Sequence, residues 1–232
     1  MFFGERLVSV AMIESSVSTL SSRDRIREAA KSLFAMHGFE STSTAAICRQ
    51  AGTSESQLLK HFESKQGLLE AIFEDAWRQI NPAIRLAAAS IPSTRERLKV
   101  LIEMVLNFLA RDKELLVLFL LEGRRIRDNG EFVVLSPGFL EFVGTFDGIL
   151  KCLADEGELA PGIHPEAFRS GLMGALEGLL RDQILARSSQ YPASYSDAHV
   201  RAICLCFLDS ALQSKERSRS GPLYPLPTNS GA

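Results

Sequence analysis

The sequence predicts an all-α protein, an N-terminal three-helix bundle with a helix-turn-helix followed by a larger helical body. Three observations predict this. First, residues 38–65, GFESTSTAAICRQAGTSESQLLKHFESK, read as two short helices around a tight turn that contains glycine. Second, just upstream, Ile26, Ala29, Ala30, Leu33 and Phe34 recur at i, i+3, i+4, i+7 and i+8, one apolar helical stripe. Third, helix-start signals punctuate the rest of the chain at Ser93-Thr94-Arg95-Glu96, Ser136-Pro137, Pro165 and Asp197.

Taken in order, Ser21 or Ser22 starts the upstream helix and Gly38 ends it. Ser43 is placed to cap a helix from about Thr44 to Ala51, because its hydroxyl can accept from orphan N–H groups of the first turn. Gly52 follows where a left-handed residue is wanted, free of a Cβ clash. Ser54 caps the next helix, which turns Leu58 and Phe62 inward and exposes Glu55, Ser56, Gln57, Lys60 and His61. The second helix of such a motif lies in a DNA major groove. Ser64 caps the helix after it, with Lys65 in the first turn.

The run RDRIREAAKSLFAMHGFESTSTAAICRQAGTSESQLLKHFESKQGLLEAIF resembles the N-terminal domain of the tetracycline-repressor (TetR) family of bacterial transcription regulators, over about Arg23 to Phe73. The positions that carry the resemblance are Leu33-Phe34, Gly38-Phe39, Ile47, Ala51-Gly52, Ser54, Leu58, Phe62, Lys65 and Leu68-Leu69. It implies that Ser43, besides capping, touches a phosphate, with Thr44 beside it at the interface. It places Ser54, Ser56 and Gln57 at the start of the recognition helix facing bases and backbone. It sends Lys60 and His61 to phosphates or base edges, and gives Lys65 a phosphate at a helix N-terminus. Two departures stand out. Leu59 replaces the usual Tyr, and Ala45-Ala46 replace a polar or charged pair, so backbone contact is weakened or redistributed.

Charge constrains the mode of binding. The whole chain carries a net charge of −2, and between Arg23 and Asp75 seven basic residues face eight acidic ones. Non-specific affinity scales with the phosphates neutralised, so random DNA should be held weakly and a dimer's two readings should supply the affinity.

The domains expected are a flexible arm over 1–21, a DNA-binding domain over 22–75 with its motif at about 43–62, a helical effector-binding and dimerisation domain over 76–213, and a disordered Ser/Pro/Gly-rich tail over 214–232. Translation could start at Met1 or at Met12. In the body, Lys65 to about Ala89 reads as a long helix that Asn81-Pro82 should kink or interrupt. Helices then follow from Ser93 to about Arg111 and from Glu114 to Arg127, the latter buried through its LLVLFLL half. Three more run from Ser136 to near Gly157, from Pro165 to about Arg187 and from Asp197 to about Leu212.

Gly171, Gly174 and Gly178 share the Pro165 helix. Each costs about 1 kcal/mol relative to Ala, so three together suggest close helix approach, either within the chain or against a partner. The resemblance extends weakly through GIHPEAFRSGLMGALEGLL and AICLCFLDSAL. There it implies a four-helix bundle with a second subunit, with Ile203 and Phe207 at the interface. It also implies a pocket for a small hydrophobic or amphipathic effector that weakens DNA binding. Candidates for that pocket are Asn107, Phe108, Phe119, Phe142, Phe146, Met173 and Glu177, with Glu122, Arg125 and Thr145 as further polar possibilities. An Arg124-Arg125-Arg127 cluster would suit an anionic or acyl ligand, or be a solvated helix end.

An enzyme is not expected. No HExxH, GxSxG, P-loop or GxGxxG stands in a fitting context, and no catalytic, metal or cofactor site is read. The four cysteines lack metal spacing or a disulfide framework and suit a reduced cytoplasm. No apolar run approaches the roughly 20 residues of a membrane span. The expected protein is a cytoplasmic homodimer that binds a palindromic double-stranded operator, most simply a repressor released by its effector. The alternative is an all-α adaptor of the same fold with lost or weak DNA binding.

Overall fold

The computed structural model describes residues 20–123 and 135–213. Their helices are α1 (Ser22–His37), α2 (Thr44–Ala51), α3 (Glu55–Phe62), α4 (Lys65–Ser90), α5 (Thr94–Arg111), α6 (Lys113–Glu122), α7 (Pro137–Asp155), α8 (Pro165–Ser188) and α9 (Asp197–Ala211). Among the described residues the only β pairing is one isolated antiparallel bridge, Leu159 with Leu212. Most of the N-terminal arm, the tail after residue 213, the continuation of α6 to Arg127 and the Arg124-Arg125-Arg127 cluster lie outside the described residues.

The chain divides into two compact units. Met1–Ala76 and Lys113–Ser136 form the first, and Trp77–Asp112 with Pro137–Ala232 the second.

The first unit is built on α1. Ile26, Ala30 and Phe34 of α1, Ile47 of α2, Leu58 of α3 and Leu68, Leu69 and Phe73 of α4 are all sealed from solvent. The sequence pattern does not show that α6 packs on α1 and joins this unit. Leu115 and Leu118 of α6 are buried, and Phe119 lies 4.9 Å from Phe73 between ring centroids. Leu121, expected inside an all-apolar buried helix, is instead more than half exposed. An ion pair, Arg27 to Asp75 at 3.3 Å, ties α1 to α4. Each buried Leu, Ile or Phe contributes roughly 1.5–3 kcal/mol, against at most about 1 kcal/mol for a surface pair. The apolar framework therefore holds this bundle, and the ion pair trims it.

In the second unit, α7 packs on α5 and α8, and α9 packs on α8 and α5. Leu98, Leu101, Leu150, Leu153 and Leu208 fill the centre. Ser93 caps α5 by accepting from the Glu96 N–H at 3.3 Å. Thr94, which follows it, is buried and donates to Glu156 at 2.7 Å. The Asn81-Pro82 pair, expected to kink or interrupt α4, does not interrupt it: the helix is continuous through Pro82. Proline withholds one N–H from the preceding turn. Locally that loss is offset by the burial of Ile80 and Ile84 and by Asn81, whose buried Nδ2 donates to the Gly138 carbonyl at 2.8 Å.

Candidate nucleic-acid interface

The motif is fixed by caps that the sequence announces. Ser43 Oγ accepts from the Ala46 N–H at 3.2 Å and starts α2. Gly52 closes α2 in the left-handed region, φ 61 and ψ 47. Ser54 Oγ accepts from the Gln57 N–H at 3.3 Å and lies 2.9 Å from Ser56 Oγ. With Leu58 and Phe62 buried, α3 leaves Ser54, Glu55, Ser56, Gln57 and Lys60 exposed, and Ser43 is exposed beside it. Leu59 is 51% exposed, an apolar side chain on an otherwise polar surface.

Several side chains lock the motif from within. Thr44 Oγ1 donates to Glu55 Oε2 at 3.0 Å, joining the starts of α2 and α3. Cys48 is buried behind them. Burial pushes its thiol pKa up, and the Glu55 charge pushes it further. Arg25 Nε donates to the Ala51 carbonyl at 3.1 Å, and the Arg23 guanidinium lies 5.1 Å over the Phe62 ring. Neither arginine stands out in the sequence, because the partners are 26 and 39 residues away.

Two of the residues expected on DNA are placed otherwise. His61 is half-buried rather than exposed, with its Nε2 3.0 Å from Ser22 Oγ, so it links α3 to the start of α1. Lys65 is engaged more fully still. Its Nζ donates to the carbonyls of Phe39 at 2.9 Å, Thr42 at 3.1 Å and Glu40 at 3.4 Å, and stands 4.4 Å over the Phe39 ring. The expected phosphate contact finds the ammonium already engaged by backbone.

The body candidates separate. Phe119 belongs to the first unit, against Phe73. Asn107 is exposed on α5 and its Oδ1 accepts from Arg201 Nη2 at 2.9 Å, so it does not line an interior. Phe142 and Phe146 are buried, while Phe108, Met173 and Glu177 are half-buried. Trp77, which the sequence reading passed over, stacks on Phe142 at 4.9 Å and lies 5.4 Å from Phe139. Of the glycines, Gly171 lets Phe207 approach, since a Cβ there would sit 3.5 Å from the ring's Cζ. Gly174 and Gly178 meet nothing within 4 Å among the described residues. Ile203 is 51% and Phe207 37% exposed.

Among the described residues no helix is long and apolar enough to cross a membrane, and no His, Cys, Asp and Glu side chains gather as metal ligands. A capped helix, a left-handed glycine and a second helix with one edge buried and one edge polar and bare define a helix-turn-helix head, the DNA-binding part of a transcription regulator. Residues 26–72 match the model of the bacterial regulatory proteins, tetR family. It is 23% identical over 155 residues to the fatty acid metabolism regulator protein of Bacillus subtilis, covering 66% of this chain and 78% of that one. It is 44% identical over 50 residues to the HTH-type transcriptional regulator UidR of Escherichia coli, covering 22% of this chain and 26% of UidR. In fold it resembles the transcriptional regulator FadR of Bacillus subtilis in complex with stearoyl-CoA, with a TM-score of 0.67 at 20% identity over 82% of this chain and 98% of that one.

Proposed function

We propose that the protein is a homodimeric repressor that reads a palindromic operator with α3 and leaves it when a small amphipathic molecule binds the second unit. The observation that carries the DNA part is the bare polar edge of α3, Ser54, Ser56, Gln57 and Lys60, backed by the buried Leu58 and Phe62. Ser43 and Thr44 at the start of α2 are the neighbouring backbone contacts. The dimer is supported by Gly174, Gly178 and the exposed Ile203 and Phe207. Two heads on a two-fold axis read half-sites about one turn apart.

The effector reading rests on a cluster of buried aromatic side chains in the second unit, Trp77, Phe142 and Phe146, and on relatives that are a fatty acid metabolism regulator and a FadR holding stearoyl-CoA. A long-chain acyl-CoA is the first effector to try. A ligand shifts such an equilibrium only by its differential affinity for the two states. Action of this kind on chromosomal DNA places the protein in the cytoplasm.

The test is fluorescence anisotropy of the full chain on duplexes flanking its own gene and on a random duplex, across a salt series, followed by titration with stearoyl-CoA. Tight, preferring, salt-dependent binding that stearoyl-CoA reverses supports the proposal. Tight binding indifferent to stearoyl-CoA removes the acyl effector only. No preference at any salt overturns the repressor and leaves the adaptor, for which the exposed Leu59 would be the marker.

A further inference from the structure

We infer that Lys65 is a positioning residue for the DNA-contacting start of α2, and that it is not itself a phosphate ligand. The inference rests on the DNA-binding reading above and departs from it at one residue. An ammonium has three N–H donors and no acceptor. All three are accounted for by the carbonyls of Phe39, Glu40 and Thr42. The contact over the Phe39 ring adds a cation–π attraction from a fourth side.

The three carbonyls belong to one turn, residues 38–43, between α1 and α2. That turn enters with Gly38 at φ 82 and ends at Ser43, the cap of α2. Thr42 is buried and donates its hydroxyl to the Gly38 carbonyl at 2.8 Å, with the Leu33 carbonyl at 3.2 Å. Three carbonyl oxygens aimed at one point repel one another, and a cation there offsets that repulsion; the Phe39 carbonyl accepts in addition from the Thr42 N–H at 3.3 Å. Lys65, the first residue of α4, supplies that cation. Its side chain thus fixes where Ser43 and Thr44 stand relative to α3, to which Thr44 is already joined through Glu55.

Lysine and arginine differ at such a site. The three rotatable donors of an ammonium converge on three oxygens, whereas a planar guanidinium directs its donors in a fork. A phosphate, in contrast, accepts either cation. The two roles therefore separate by substitution.

The experiment uses the full chain and a duplex selected by the wild-type protein from a random-sequence pool. Binding of Lys65→Met and Lys65→Arg is measured by anisotropy over a salt series, at a temperature where circular dichroism shows each fully folded. Amide hydrogen exchange is followed in parallel. The positioning role predicts that both variants bind about tenfold more weakly with the wild-type salt slope. It also predicts faster exchange confined to residues 39–44. A salt slope smaller by about one per subunit in Lys65→Met, with Lys65→Arg binding as wild type, would make Lys65 a phosphate ligand and overturn the inference. Unchanged affinity of folded Lys65→Met, with a lower melting temperature only, would also overturn it, leaving a purely structural lysine. Should Lys65→Met fail to fold, Lys65→Arg decides alone: a tenfold loss at the wild-type salt slope supports the inference, and full affinity overturns it. Failure of the wild-type protein to select any duplex would be a failure of the DNA-binding reading itself, visible before any variant is made.

Discussion

Gly67 lies against the carbonyl oxygen of Phe62, so closely that a Cβ on residue 67 would collide with it. The first turn of α4 thus passes over the last residue of α3 with no room for a methyl group. Ser64 Oγ accepts from the Gly67 N–H at 2.9 Å and holds the turn in that place. By helix propensity alone, Gly67→Ala should stabilise by about 1 kcal/mol. The collision is with backbone, which cannot rotate aside, and overpacking of this kind costs about 1–3 kcal/mol. Gly67→Ala is therefore expected to lower the melting temperature and weaken DNA binding through α3. A melting temperature above wild type would refute the close approach.

Glu63 ends α3 at φ 63 and ψ −39, the one non-glycine residue with positive φ among those described. A side chain there costs on the order of 1–2 kcal/mol, while glycine pays more entropy on folding, roughly 0.5–1 kcal/mol. Glu63→Gly should therefore gain up to about 1 kcal/mol in urea unfolding at unchanged m value. A loss would mean that the carboxylate makes a contact worth more than the backbone strain.

Gln57 is exposed in the first turn of α3 while its own N–H is taken by Ser54. Its amide is the group on α3 suited to bidentate pairing with adenine N6 and N7. Gln57→Ala should cost about 1–3 kcal/mol on the selected operator and relax preference at one base pair per half-site. Equal weakening on operator and random duplex would reassign Gln57 to the backbone.

The cysteines give a chemical readout of both units. Cys48 and Cys204 are buried, and Cys152 and Cys206 exposed. Burial raises the thiol pKa of Cys48 and Cys204, so at neutral pH both are protonated as well as shielded, and the thiolate is the nucleophile. Against a disulfide reagent at pH 7.5, the exposed Cys152 should be labelled from the folded state, and Cys48 and Cys204 only at the rate of unfolding. Raising the pH toward 9 should leave the buried pair slow. Fast labelling of Cys48 would show that α2 opens locally.

Local features of this fold are written in local sequence. Ser21, Ser43, Ser54, Ser93 and Pro137 mark helix starts because a cap depends on groups within about four positions. The apolar stripes place Ile26, Phe34, Leu58 and Phe62 inside for the same reason. What the sequence hides is every partner chosen by tertiary packing. Lys65 and His61 look like free polar side chains at a DNA surface, yet their partners are the 39–42 turn and Ser22, more than 20 residues away. The membership of α6 in the first unit is hidden likewise, because an all-round apolar helix carries no face to say which neighbour it meets. Continuity of α4 through Pro82 was illegible too, since the compensating bond from Asn81 reaches residue 138.

The assembly reading stands on an apolar edge left open by the second unit. Val200, Cys204, Leu208 and Ala211 turn α9 inward at i, i+4, i+8 and i+11, which leaves Ile203 and Phe207 on the outer side. Phe207 is half supported by stacking on Phe168 at 5.5 Å and by the space Gly171 leaves it, whereas Ile203 is the more exposed of the two. A charge at Ile203 should therefore spare the chain's own core and cost the dimer. Ile203→Glu is expected to sediment as a monomer at concentrations where wild type is a dimer, with a melting transition lowered only by the loss of mass-action stabilisation. Operator affinity should fall toward that of one head, because the second half-site reading is no longer linked to the first. A variant that remains dimeric and binds as wild type would move the interface off α9.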